Sequence, residues 1–219
     1  MTIQEALRLR RSVRSYHTTP IAPDALHALR EEIAAINRES GLHFQLITDE
    51  PKAFDSLLAH YGKFSGVRNY IALVGKKSPD LFEKCGYYGQ RLVLRAQQLG
   101  LDTCWVALTY RRIPGTIKVN KGEKLTVVIS VGYGTTQGVR RPSKTAQQVS
   151  DVTDTCPNWY KAGVEGALLA PTAINQQKFR ITRSGENVFF NALPGPYSKM
   201  DLGIVKYNFE IASGRRIQP

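Results

Sequence analysis

Two apolar runs, Tyr70–Val74 (YIALV) and Lys124–Val131 (KLTVVISV), do most to limit what this chain can fold into. Each is short, rich in β-branched residues and closed by glycine, at Gly75 and Gly132. A continuous apolar run of that length reads as a strand buried on both faces. Between them, Leu81, Cys85, Tyr88, Leu92, Ala96 and Leu99 form one apolar helical stripe that starts after Ser78-Pro79-Asp80 and stops at Gly100. Leu42–Thr48 alternates and reads as a further strand. Upstream lie two helices. Thr2 with Glu5 makes a capping box, and that helix is expected to end near Arg11 or Ser12, with Val13–Tyr16 extended. Pro23-Asp24 opens the second, with Leu26, Leu29, Ile33 and Ile36 on one face and Gly41 at its end. Ala53–Tyr61 also reads as helix.

Downstream, residues 135–150 (TTQGVRRPSKTAQQVS) are polar and read as a linker or ligand-wrapping loop. Then follow a helix over Pro157–Leu169, a hairpin of Phe179–Thr182 and Val188–Ala192 turning at Ser184–Asn187, and a helix over Asp201–Ser213 stopped by Gly214. Strands and helices do not alternate strictly, so the pattern predicts an α+β fold rather than a doubly wound one. The chain of 219 residues, 42% hydrophobic, can bury a full core as one domain or two half-size lobes.

The net charge of +12 is concentrated between residues 101 and 150, where eight Lys/Arg face Asp102 and Glu123. Such an excess favours anionic ligands, phosphate or nucleic acid. Cys85, Cys104 and Cys156 have neither zinc-site nor disulfide-framework spacing, and their apolar neighbours predict buried free thiols in a reducing compartment. The N-terminus lacks a signal-peptide apolar run and no stretch is long enough to span a bilayer, which predicts a cytoplasmic protein.

Three segments could carry chemistry. Arg10, Arg11, Ser12 and Arg14 place donors close together where a helix gives way to extended chain, and guanidinium forks match phosphate. A basic helix end favoured by the dipole explains the same residues, and the string alone leaves both open. Ala170–Gln177 (APTAINQQ) combines small residues, which let backbone approach a flat ligand, with hydrogen-bonding Thr172, Asn175 and Gln176; an ordinary loop would look alike. Gly132-Tyr133-Gly134 followed by Arg140, Arg141 and Lys144 suits a phosphate tail or a flexible basic loop. No metal motif and no catalytic acid–base pair stands out.

Taken together, RRSVRSY (Arg10–Tyr16), LGLDTCWVAL (Leu99–Leu108), VISVGYG with RRPSK, APTAINQQKFRI (Ala170–Ile181) and DLGIVKYNFEIAS resemble five segments of the FMN-dependent nitroreductase family. The resemblance implies a nitroreductase-like α+β fold, a central mainly antiparallel sheet flanked by helices. It implies FMN as cofactor and ping-pong hydride transfer from NAD(P)H to nitroaromatics, quinones or similar acceptors. In the family's homodimers one subunit gives the Arg motif and the other the Asn-x-Gln segment. Here the second segment is not found one helix after the first, where Glu39–Phe44 stands, but in the later block. That order resembles members with two lobes fused in one chain as a pseudo-dimer: residues 1–145 as the first lobe, 146–219 as a smaller second, in a monomer with one flavin.

By the same resemblance, Arg10, Ser12, Arg141 and Lys144 would bind the phosphate with Arg11 beside them, and Arg14 would sit at the pyrimidine edge, where a cation favours the reduced ring. Trp105, Val106 and Ala107 would line one side of the ring, and Pro171, Thr172, Ala173, Asn175 and Gln176 the other. Hydride transfer of this kind requires no protein acid or base. Two other readings remain: a flavin-binding protein with little turnover or a specialised flavin or aromatic chemistry, and a basic nucleic-acid binder, for which no recognised motif is present.

Overall fold

The structure is a computed structural model and describes residues 1–55 and 61–217. The described residues form two compact units. One comprises Leu9–Leu81 and Leu92–Arg140 and holds the main sheet. The other comprises Met1–Arg8, Phe82–Arg91 and Arg141–Pro219 and is mainly helical.

The sheet unit begins where α1 (Ile3–Leu9) ends. The capping box at α1's start is made as the sequence predicts: Thr2 N–H donates to Glu5 Oε2 at 2.7 Å, and Glu5 N–H to Thr2 Oγ1 at 3.2 Å. The helix stops two or three residues early because the chain is drawn into strand pairing, with Val13 N–H donating to the Thr103 carbonyl at 3.1 Å. Helix α2 (Pro23–Ser40) buries Leu29, Ile33 and Ile36 and is closed by left-handed Gly41, φ 71°.

Four strands make the sheet in the order β1-β2-β4-β3: β1 (Gln45–Ile47), β2 (Tyr70–Lys76), β3 (Asp102–Val106) and β4 (Glu123–Gly132). All three pairings are antiparallel, with a register shift between Leu73 and Val74. The two apolar runs are thus the adjacent central strands. Strand β1 is shorter than its alternating pattern because the Asn37 side chain takes both backbone groups of Phe44, accepting its N–H at 2.8 Å and donating to its carbonyl at 2.9 Å. The core packs Val13, Tyr16, Phe54, Phe64 and Tyr70 against Val106 and Val128. The helix expected over Ala53–Tyr61 lies largely outside the described residues.

Helix α3 (Leu81–Gln98) passes Phe82–Arg91 to the helical unit. That unit adds α4 (Ala146–Val149), α5 (Asn158–Leu168), the hairpin β5 (Phe179–Ser184) and β6 (Asn187–Ala192), and α6 (Ser198–Ser213). Helix α4 interrupts the stretch read as linker, and its signal was present: Thr145 and Gln148 form a capping box. Helix α6 starts three residues before the expected Asp201, straight after left-handed Tyr197. Helices here meet backbone to backbone. A Cβ on Gly203 would lie 2.0 Å from the Glu83 carbonyl oxygen, and one on Gly86 2.0 Å from that of Met200. On the other side, a Cβ on Gly163 would strike the Phe209 ring at 2.5 Å.

Candidate functional site

In the sheet unit, the segment after α1 is held by backbone on two sides. Ser12 bridges Thr103 in parallel, Ser65 N–H donates to the Arg14 carbonyl at 3.0 Å, and Tyr16 N–H donates to the Ser65 carbonyl at 3.0 Å. Val13 and Tyr16 point into the core, and the Tyr16 hydroxyl anchors the segment by donating to the Val13 carbonyl at 2.6 Å and meeting Ser130 Oγ at 2.8 Å. Burial lifts the Tyr16 phenol well above its usual range. Beside these anchors lie the residues the sequence singled out. Arg10 is only 8% exposed, while Arg11, Ser12 and Arg14 are half-buried. Arg14 lies over the Phe64 ring, 5.8 Å from its centroid.

Pairing with Thr103 sets this segment beside β3, which carries Trp105 and Val106. Trp105 is half-buried, and its indole N–H is buried without a hydrogen-bond partner among the described residues. The Val106 side chain is packed in the core, so only its backbone is placed to meet a ligand. Next to the segment opens a cleft of about 620 Å³ lined by Arg11, Gln97, Asp102, Gly134, Thr135 and Arg140. Asp102 accepts the Gly134 N–H at 3.0 Å, and burial raises its carboxyl above the ordinary range.

In the helical unit, the Ala170–Gln177 segment and the basic tail are tied together. Asn175 Nδ2 donates to the Pro142 carbonyl at 2.8 Å, and Lys144 Nζ to the Gln177 carbonyl at 2.8 Å. Ala173–Asn175 forms a 3-10 turn with an unusual backbone: φ is 46° at Ile174, 58° at Asn175 and 44° at Gln177. For β-branched Ile174 this is an outlier, of a kind that costs about 1–3 kcal/mol and persists only when its surroundings enforce it. The Ile174 side chain is nevertheless 85% exposed. Arg141 is exposed, and Pro171, Ala173 and Gln176 are half-buried.

Two enforcing residues escaped the sequence reading. Gln177, 3% exposed, accepts the Lys144 N–H at 2.8 Å and donates to Ser143 Oγ at 3.0 Å and the Leu168 carbonyl at 3.2 Å, while its own N–H donates to Thr172 Oγ1 at 3.1 Å. Asp201, also 3% exposed, accepts the Ala173 N–H at 2.9 Å and Gln176 Nε2 at 2.7 Å. Desolvation pushes its carboxyl up to about 6, against the lowering effect of both bonds. Their signals were the Gln of the Asn-x-Gln spacing and the Asp of Asp201-Leu202-Gly203. The cysteines divide: Cys85 and Cys104 are buried, but Cys156 is half-exposed rather than buried, with its thiol lowered by hydrogen bonds from Thr153.

The architecture is the α+β arrangement of the nitroreductase fold. A family model described as "Putative TM nitroreductase" matches residues 2–213, and the chain belongs to that family. Among solved structures it resembles a putative nitroreductase from Thermotoga maritima, 21% identical, over 97% of this chain and 83% of that one, with a TM-score of 0.70. A putative nitroreductase from Desulfovibrio desulfuricans, solved in complex with FMN, is 18% identical over 72% of this chain and 99% of that one, TM-score 0.54. A putative NADH dehydrogenase/NAD(P)H nitroreductase from Bacteroides thetaiotaomicron is 20% identical over 67% and 95%, TM-score 0.52. No curated protein matches the chain. Among the described residues no helix is long and apolar enough to cross a membrane.

Proposed function

We propose that the chain is an FMN-dependent oxidoreductase that passes hydride from NAD(P)H to nitroaromatic, quinone or similar acceptors. Family membership and the FMN of the Desulfovibrio desulfuricans structure support this reading. The observation that carries it is the Arg10–Arg14 segment: a guanidinium withdrawn from solvent, two more beside it and a hydroxyl, on backbone fixed to β3.

The donor set fits the group. A phosphate needs charged forks and hydroxyls, and Arg10 and Ser12 with Arg141 and Lys144 are assigned to it, with Arg11 at its margin. Arg14 is assigned to the pyrimidine edge, where its charge is held in place by the Phe64 face. Trp105 has a buried N–H still lacking an acceptor among the described residues, and it is assigned with Val106 and Ala107 to the ring. Pro171, Thr172, Ala173, Asn175 and Gln176 are assigned to the ring edge and ribityl chain. Bound FMN supplies a two-electron centre that accepts hydride from NAD(P)H and yields it to the acceptor in turn, the basis of ping-pong turnover. The chain's own task is then to bind and orient, and no side chain is assigned as acid or base. One Arg motif and one Asn-x-Gln segment per chain support a monomer with one FMN, an internal pseudo-dimer.

Anaerobic addition of NADH or NADPH to the FMN-loaded protein should bleach the flavin absorbance, and a quinone or nitroaromatic should restore it. A flavin that stays coloured with both nucleotides contradicts the oxidoreductase reading and leaves a flavin-binding protein.

A further inference from the structure

Asp201 is a carboxylate placed where the fold makes ionisation costly. Among the described residues its carboxylate accepts two N–H donors, Ala173 N–H on Oδ1 and Gln176 Nε2 on Oδ2. No Lys or Arg is among the groups that shift it, and Glu83 of α3, opposite Gly203, is paired with Lys206. Both donors belong to the 172–177 loop, whose left-handed residues do not hold themselves. Gln176 Nε2 also donates to the Pro196 carbonyl at 2.7 Å, so its amide cannot turn over without losing that bond. Both bonds require an acceptor on each oxygen of Asp201; the ionised carboxyl offers two full acceptors, whereas protonation turns one oxygen into a donor and weakens it as an acceptor.

We propose that Asp201 is the positioning residue of the flavin site, its carboxylate holding the Ala173–Gln176 turn in the one form in which that loop meets the flavin. The inference rests on the function proposed above. Asp201 titrates higher folded than unfolded, so the native state binds its proton more readily. Its contribution to global stability is fully present below its unfolded range near 3.8 and is lost as pH rises through about 6. Flavin binding, which needs the ionised form, runs the other way and fails as pH falls through about 6.

Riboflavin is the clean probe, because the FMN phosphate has a second ionisation of its own at about 6. Its affinity for the wild-type protein, read by fluorescence quenching, should fall by up to about tenfold per pH unit below about 6. Asp201→Asn should bind riboflavin and FMN about tenfold more weakly at pH 7.5, the loss expected for one broken hydrogen bond to a charged acceptor. Its riboflavin profile should be flat between pH 5 and 7.5, and the flavin-free variant should melt no lower than wild type. Equal affinity in the variant, an unchanged pH profile, or a flat wild-type profile would overturn the proposal. The last of these needs no variant, so it decides the matter even if Asp201→Asn does not fold. A wild-type protein that binds neither flavin at any pH would instead overturn the function proposed above, and this inference with it.

Discussion

Arg10→Met weakens FMN binding by about 10- to 100-fold. The size follows from burial. Arg10 is the segment's buried guanidinium, and a hydrogen bond to a charged partner is worth about 1.5–3 kcal/mol, one to two decades in affinity. Methionine keeps the length and the apolar stem, so the packing loss is small. Arg10→Lys restores charge but not the fork and should fall between. Arg11→Met should cost less than Arg10→Met, since Arg11 lines an open cleft, where solvent screens its charge. A fluorescence titration of the flavin-free proteins distinguishes these cases. Wild-type affinity in Arg10→Met removes the Arg10–Arg14 segment from the phosphate site.

The largest effect on stability is expected at Gly203. Its added Cβ would meet the Glu83 carbonyl oxygen at 2.0 Å and the Tyr87 nitrogen at 2.6 Å. Both are backbone atoms of α3, so no side chain can rotate away, and the helices must separate. Overpacking of a core costs about 1–3 kcal/mol even where side chains can yield. Gly203→Ala should reach or pass the top of that range, lowering the melting temperature by at least about 6–12 °C for a chain of this size. Gly185 is the contrast. It sits in the β5–β6 turn with φ 60° and nothing within 4 Å of its Cβ position, so Gly185→Ala should cost only the left-handed penalty of about 1–2 kcal/mol. Equal melting temperatures for the two variants would contradict the close crossing of α3 and α6.

How much was legible in the sequence depended on the range of the signal. Helices α2 and α3 and strands β2 and β4 were read from period and glycine punctuation, because each buries a face its own residues define. The early end of α1 and the short β1 were not, because Thr103 and Asn37, remote in sequence, decide where their backbone bonds go. Helix α4 was legible in principle, since its Thr145–Gln148 capping box is local, but its polar composition hid it. At the candidate site, Arg10–Arg14 announced itself by charge and spacing. Gln177 and Asp201 did not. A buried glutamine or aspartate looks like any loop or helix-start residue until the chain returns to supply its partners, at Lys144 in one case and at Ala173 and Gln176 in the other.

The most direct measurement is the absorbance spectrum of the purified protein, with flavin released and counted against chain concentration. The expected result is a yellow protein carrying one FMN per chain. A colourless protein that takes up no added FMN contradicts the flavin site, and two FMN per chain contradicts the single site assigned to Arg10–Arg14 and the Pro171–Gln176 segment.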